Sequence, residues 1–168
     1  MHTFHDFAWF FADSYDLGQI RRLRIESNTL APWFSFFTSL ASHGGSCELM
    51  TTAGRESRLV YPRQLMTMTH IPREMMLLCE GCCGSLGFRA LIFCDDRGEL
   101  SFDACNVDDT TWSSFLDLLD WIARETQHDV LVVDEYHDDV DPLELTWLRY
   151  SRHLRTLSVE GDPNRDFE

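Results

Sequence analysis

The chain has 168 residues and a formal net charge of −14, from 28 acidic and 14 basic side chains. A hydrophobic fraction of 44% is typical of a globular protein and excludes a disordered one. All 14 basic side chains are arginines. The absence of lysine excludes P-loop nucleotide sites and Schiff-base chemistry. No apolar run approaches the ~20 residues of a membrane helix.

The N-terminus lacks the basic region and the small-residue cleavage site of a secretory signal. We therefore expect a cytoplasmic protein without membrane association. The six cysteines are accordingly expected to be reduced thiols, as is usual in that compartment.

The acidic excess is confined to the second part of the chain. Residues 1–94 carry eight acidic side chains and eight arginines, whereas residues 95–168 carry 20 acidic side chains and six arginines. A field of that sign repels nucleic acid and anionic membranes and attracts basic partners. We therefore expect no direct nucleic-acid binding, with plain solubility as the alternative explanation of the charge.

The first 45 residues predict helices. Aromatic side chains at helical spacing favour a first helix that docks on the core: Phe4, Phe7, Phe11 and Tyr15. Residues 17–25 interleave apolar residues with three arginines, which we interpret as a solvated helix face. Residues 30–45 predict a helix with a broad apolar face, which has Pro32 in its first turn and glycines at its end.

Residues 72–106 predict the central antiparallel sheet. A glycine-rich turn separates an apolar run at residues 75–79 from a second run at 88–94. A hairpin turn follows, in which Gly98 takes a positive φ, and residues 99–105 form the next strand. Before this region, short strands are predicted at residues 47–52 and 57–61 and a short helix at residues 62–70.

The C-terminal part predicts a helix, a strand and a second helix. Apolar residues recur every three or four positions over residues 112–125, with Asp108, Asp109 or Thr110 as the cap. A short strand at residues 129–133 precedes an acidic loop. Asp141 followed by Pro142 then predicts the start of a helix carrying Trp147, Leu148 and Leu154.

A zinc site is one hypothesis for the cysteines. The candidate ligands are Cys79, Cys82, Cys83 and His70. Structural zinc is held by four ligands, usually in two tightly spaced pairs, and only one such pair is present. Cys94 and Cys105 lie in predicted strands, where cysteine packs as a small apolar residue. We therefore expect no cofactor, with the zinc site kept as an alternative.

Motifs for catalysis are incomplete. Residues 131–135 resemble a Walker B strand, but the Walker A motif requires a lysine. The acidic cluster around residues 134–141 lacks EF-hand spacing, and no G-x-S-x-G motif occurs. The seven histidines are scattered along the chain. We therefore expect a protein without enzymatic activity.

Three segments in order carry a family resemblance. An aromatic helix at residues 30–45 ends in two glycines, strands around the turn at residues 95–98 follow, and a helix with Phe115 and Leu119 comes next. This order resembles the SUKH superfamily over residues 30–125. The resemblance implies a single α+β domain, whose mainly antiparallel central sheet is flanked by N- and C-terminal helices. Residues 1–29 would then be an N-terminal helical segment, and residues 126–168 an acidic strand and helix.

The resemblance also implies a function. Many SUKH proteins are bacterial immunity proteins, each of which binds and neutralises a cognate toxin, often a nuclease. The acidic residues of predicted loops are the candidate contacts with a basic toxin: Asp95, Asp96, Asp108, Asp109, Glu135, Asp138 and Asp139. Related domains occur in a fungal cell-wall regulator and in herpesvirus tegument-type proteins. A viral or effector-type domain that binds a host defence protein is therefore the alternative.

Overall fold

The structure, a computed structural model, describes residues 2–11, 20–54, 56–94, 98–134 and 147–160. In these ranges the chain forms a nine-stranded antiparallel sheet accompanied by helices. The predicted α+β class with a central antiparallel sheet is therefore confirmed. No helix in the described ranges combines the length and the apolarity needed to span a membrane.

The elements alternate between short helices and longer strands. The helices are α1 (Ala8–Phe11), α2 (Ala31–Ser42), α3 (Pro62–Leu65) and α4 (Trp112–Thr126), with single 3₁₀ turns at Phe4–Asp6 and Ala104–Asn106. The strands are β1 (Ile20–Ile25), β2 (Ser46–Thr51), β3 (Ser57–Leu59), β4 (Met75–Cys83), β5 (Leu86–Phe93), β6 (Leu100–Asp103), β7 (Val130–Asp134), β8 (Trp147–Ser151) and β9 (Thr156–Glu160). Their order across the sheet is β3-β2-β4-β5-β6-β1-β7-β8-β9.

The two faces of the sheet differ in composition because successive strand residues point to opposite faces. Along β5 the residues alternate strictly between buried and exposed, starting with buried Leu86. The buried residues of neighbouring strands are opposite one another in register, as Leu77 is to Ile92. We call this side the helix face, because α2 and α4 pack on it, and we call the other side the open face.

Aromatic rings join the helices to the helix face. Phe36 of α2 lies 6.2 Å from Phe88 of β5 and 5.1 Å from Trp121 of α4, measured between ring centroids. Phe115 of α4 lies 5.5 Å from Phe102 of β6. Each ring buries a large apolar area, so these contacts fix the positions of both helices on the sheet.

The predicted solvated helix at residues 17–25 is wrong, because Ile20–Ile25 is strand β1. Arg21 is not solvated either: it points into the helix face and has no exposed surface. Its Nε and Nη2 atoms donate to the Phe10 carbonyl at 2.9 and 2.6 Å. Its guanidinium also lies 5.1 Å from the centre of the Phe10 ring. The buried arginine therefore ties the N-terminal aromatic segment to the sheet.

The predicted C-terminal helix is wrong where the structure describes it. Residues 147–151 and 156–160 form the hairpin β8–β9 instead. Leu148 and Tyr150 alternate onto the helix face, and Arg149 lies between them on the open face. The apolar residues on which the helix was predicted, Trp147, Leu148 and Leu154, are too few to distinguish the helical period from the two-residue period of a strand. Pairing with β7 selects the strand. The predicted start of that helix at residues 141–146 lies outside the described residues.

Smaller corrections concern the N-terminus and the central turns. In the described part, α1 is only one turn long and ends at Phe11, and Tyr15 lies outside the described residues. The glycine-rich turn is limited to the residues between β4 and β5, where Gly84 has φ +57°. Cys105 lies in a 3₁₀ turn rather than in a strand.

The remaining predicted elements in the described ranges are confirmed. These are α2, β2, β3, a shorter α3, the strands of the central hairpins, α4 and β7. Gly98 has the expected positive φ of +77°. A Cβ atom there would lie 2.3 Å from Cδ1 of Trp33, so glycine is required for close packing as well as for backbone conformation.

Replacing Phe115 with alanine should destabilise the fold strongly. Phe115 has no exposed surface and contacts the rings of Phe11 in α1, Phe102 in β6 and Trp112 in its own helix. The expected loss is about 3–5 kcal/mol of unfolding free energy, measured by urea denaturation. Ser113→Ala on the exposed side of the same helix is the control. A loss below about 1 kcal/mol for Phe115→Ala would contradict the packing described.

Candidate protein-binding surfaces

The structure describes two of the seven acidic residues predicted to contact a partner. Asp108 and Asp109 are exposed in the loop that leads from the second 3₁₀ turn to α4. The other five lie outside the described residues: Asp95, Asp96, Glu135, Asp138 and Asp139. The geometry of these five therefore remains a prediction.

Asp108 organises the loop in which it lies. Its Oδ1 accepts hydrogen bonds from the backbone N–H of Thr110 at 2.8 Å, from the Thr110 hydroxyl at 2.7 Å and from the backbone N–H of Thr111 at 3.0 Å. These donors, led by the Thr110 hydroxyl, favour the charged carboxylate and lower the pKa of Asp108. Asp108 therefore stabilises the turn before α4, a role that limits its availability to a partner.

Asp109 is differently placed. Its carboxylate has 61% of its side-chain surface exposed, and it lies 3.4 Å from Nε2 of His5. An exposed contact of this kind contributes little to stability. Asp109 is therefore available to a cationic partner, unlike Asp108.

Two further carboxylates, which sequence reasoning missed, extend this region. No arginine occurs between Gly98 and Ala123, a segment that contains six acidic residues. Two of them are ion-paired, Glu99 with Arg22 and Arg24 and Asp120 with Arg155. The other four have no ion pair with an arginine of the described residues, and we call them the acidic corner: Asp103, Asp108, Asp109 and Asp117. The long interval without a basic residue was the signal in the sequence.

The open face is polar over β1 and β6–β9. Nη1 of Arg22 and Nε of Arg24 contact the two oxygens of Glu99 at 3.2 and 2.9 Å. Arg149 contacts three carboxylates, those of Glu26, Asp129 and Glu160, at 3.1 to 3.5 Å. The hydrogen bond from Arg149 to Glu26 is the main cause of its raised pKa. These arginines are neutralised within the protein, which disfavours phosphate binding at this half of the face.

The open face over β2–β5 carries a group of five apolar side chains beside the charged residues Glu48, Glu80 and Arg89. Leu59 and Leu91 are 54% and 44% exposed. Leu78 lies on β4, between the strands of Leu59 and Leu91. Two residues further along β2 and β4, Met50 lies opposite Met76. We call these five residues the apolar patch. Contiguous apolar surface of this kind is typical of an interaction site.

The candidate zinc ligands do not converge. Cys79 is buried on the helix face, whereas Cys82 is exposed on the open face, because residues three apart in a strand point in opposite directions. His70 is exposed in the segment before β4. Among the described residues, no three His, Cys, Asp or Glu side chains are arranged to hold a metal ion. The C-x-x-C spacing favours chelation in a turn, and here it lies in a strand.

Comparisons with known proteins give no relative. No protein-family model, no curated protein and no solved structure significantly matches the chain. The resemblance to the SUKH superfamily therefore depends on the sequence motifs alone.

Loss of the Asp108 carboxylate should reduce stability in a pH-dependent way. A lowered pKa in the folded state stabilises the protein above the ordinary value of 3.8, and this contribution disappears as pH falls through the lowered pKa. The melting temperature of Asp108→Ala should therefore lie below that of the wild type at neutral pH and approach it in acid. Asp109→Ala is the control, and a pH-independent difference for Asp108→Ala would contradict the hydrogen-bonding role.

The exposed and the buried thiols should differ in their rate of reaction with Ellman's reagent. Cys82 and Cys105 are exposed and should react rapidly in the native protein. Cys47 and Cys79 are buried, and burial together with the hydrogen bond that the Cys79 thiol makes to Cys47 raises the pKa of Cys79. These two should react only after denaturation. A Cys82→Ser/Cys105→Ser variant should lose the rapid phase, and rapid modification of Cys79 in the native protein would contradict the strand assignment.

Proposed function

We propose that the chain is a non-catalytic cytoplasmic binding protein that neutralises a basic toxin, most simply a nuclease. The observation that carries the proposal is the acidic corner, whose carboxylates pair with no arginine in the part of the chain that the structure describes. A protein stabilised by its own ion pairs would distribute basic residues among these carboxylates. Their isolation leaves a local negative field directed at solvent.

Nuclease active sites bind phosphates and are therefore basic. A rigid acidic surface accelerates association with such a site and offers charge-assisted hydrogen bonds to its arginines and lysines. Asp108 and Asp109 immediately precede α4 and Asp117 lies on it, and the aromatic core holds this helix firmly on the sheet. The carboxylates therefore occupy defined positions before the partner arrives, which limits the entropy lost on binding.

The host-protein alternative has less support. An exposed aromatic surface at the N-terminus would favour it, but Phe7, Phe10 and Phe11 are buried. Trp9 is the exposed aromatic of that group in the described residues, at 41%. A single exposed ring does not make a docking surface.

Co-expression with the product of the neighbouring toxin gene tests the function. The wild type should restore growth, and Asp103→Asn/Asp109→Asn/Asp117→Asn should slow association by about tenfold at low salt, measured by stopped-flow fluorescence. Asp108 stays unchanged because it stabilises its loop. The control removes three charges elsewhere, as Glu56→Gln/Glu74→Gln/Glu125→Gln.

Two results would overturn the proposal. The first is a toxin that binds this chain no more tightly than an unrelated basic protein does. The second is equal slowing by the two triple variants, because an effect of net charge alone requires no acidic corner.

A further inference from the structure

Glu48 lies inside the apolar patch. In the register of the sheet, Glu48 of β2 is directly opposite Leu59 of β3 on one side and Leu78 of β4 on the other. Leu78 is in turn opposite Leu91 of β5. Directly opposed side chains have Cβ atoms roughly 5 Å apart. A half-buried carboxylate is therefore enclosed between leucines on an exposed sheet face.

This carboxylate has no ion pair within the described ranges. There, no arginine or histidine forms a salt bridge with Glu48, in contrast to Glu99, which is held by two arginines on the same face. A carboxylate among apolar side chains is poorly hydrated and gains most from a cation brought to it. Leucines around it would exclude water from such a contact, which is the environment of an interface hot spot.

We propose that the apolar patch is the docking surface for a cationic protein, with Glu48 receiving an arginine or lysine flanked by apolar side chains. The identification of that protein as a toxin rests on the proposed function. Charge complementarity selects this occupant over a second copy of the chain, because two copies at −14 each repel one another. In the register of the sheet, Arg89 is opposite Glu80 and Arg58 is opposite Leu49, so neither arginine is directly opposite Glu48.

A short peptide tests the surface without the toxin. The full chain, labelled with ¹⁵N, is titrated with acetyl-Leu-Arg-Leu-amide, and the control peptide has citrulline, a neutral isostere, in place of arginine. The arginine peptide should shift the amide signals of Glu48, Leu78 and Leu91, and Glu48→Gln should weaken its binding at least about fivefold. Glu74→Gln, an exposed residue just before β4, should leave the binding unchanged.

Absence of shifts at the patch, or equal binding of the two peptides, would overturn the proposal. Unchanged melting temperatures show that each variant is folded. Dimerisation in analytical ultracentrifugation that Leu91→Ser abolishes would also overturn it, because the occupant would then be a second copy.

Binding measurements with the toxin encoded by the neighbouring gene distinguish failure of this inference from failure of the proposed function. Glu48→Gln should weaken toxin binding by at least about 30-fold, as expected for a hot spot. Full toxin binding by Glu48→Gln would reject the docking surface and leave the proposed function intact. A toxin that does not bind the wild type, with peptide binding intact, would reject the proposed function alone.

Discussion

The packing of α2 and α4 on one face of the sheet is the contact on which the rest of the structure depends. Phe36 contacts both the sheet and Trp121, so a single ring couples the two helices to each other and to the strands. Since both helices use the same face, the hydrophobic core is one layer thick, and the opposite face has no covering helix in the described residues. A two-layer fold of this type keeps one side of an antiparallel sheet available to solvent or to a partner.

That arrangement also explains the charges. An arginine on the helix face needs hydrogen-bond acceptors, and Arg21 donates to the carbonyls of Phe10 and Ile20 beneath the Phe10 ring. Arginines on the open face pair with carboxylates across neighbouring strands, as Arg24 does with Glu99. The carboxylates of the acidic corner have no such partner among the described residues.

The predictability of each element followed the strength of its pattern. Residues 86–93 alternate over a full strand, and α4 repeats over four turns, so both were predictable from the sequence. Strand β1 was not, because Arg21 occupies a buried position where an apolar residue would have shown the two-residue period. Asp108 and Asp109 could be identified as exposed loop acids. Glu48 could not, since the leucines beside it come from β3 and β4, and only the register of the sheet brings them together.

The acidic corner and the apolar patch act over different distances. Unpaired carboxylates exert their field over roughly 8–10 Å in physiological salt, which affects the rate of encounter. The leucines around Glu48 act only in direct contact, where exclusion of water strengthens a single ion pair and slows dissociation. The two surfaces are compatible on one molecule because Asp103 ends β6 on the open face, the side on which Leu91 of neighbouring β5 is exposed. The Asp103 carboxylate therefore extends the negative field of the acidic corner to the face that carries the apolar patch.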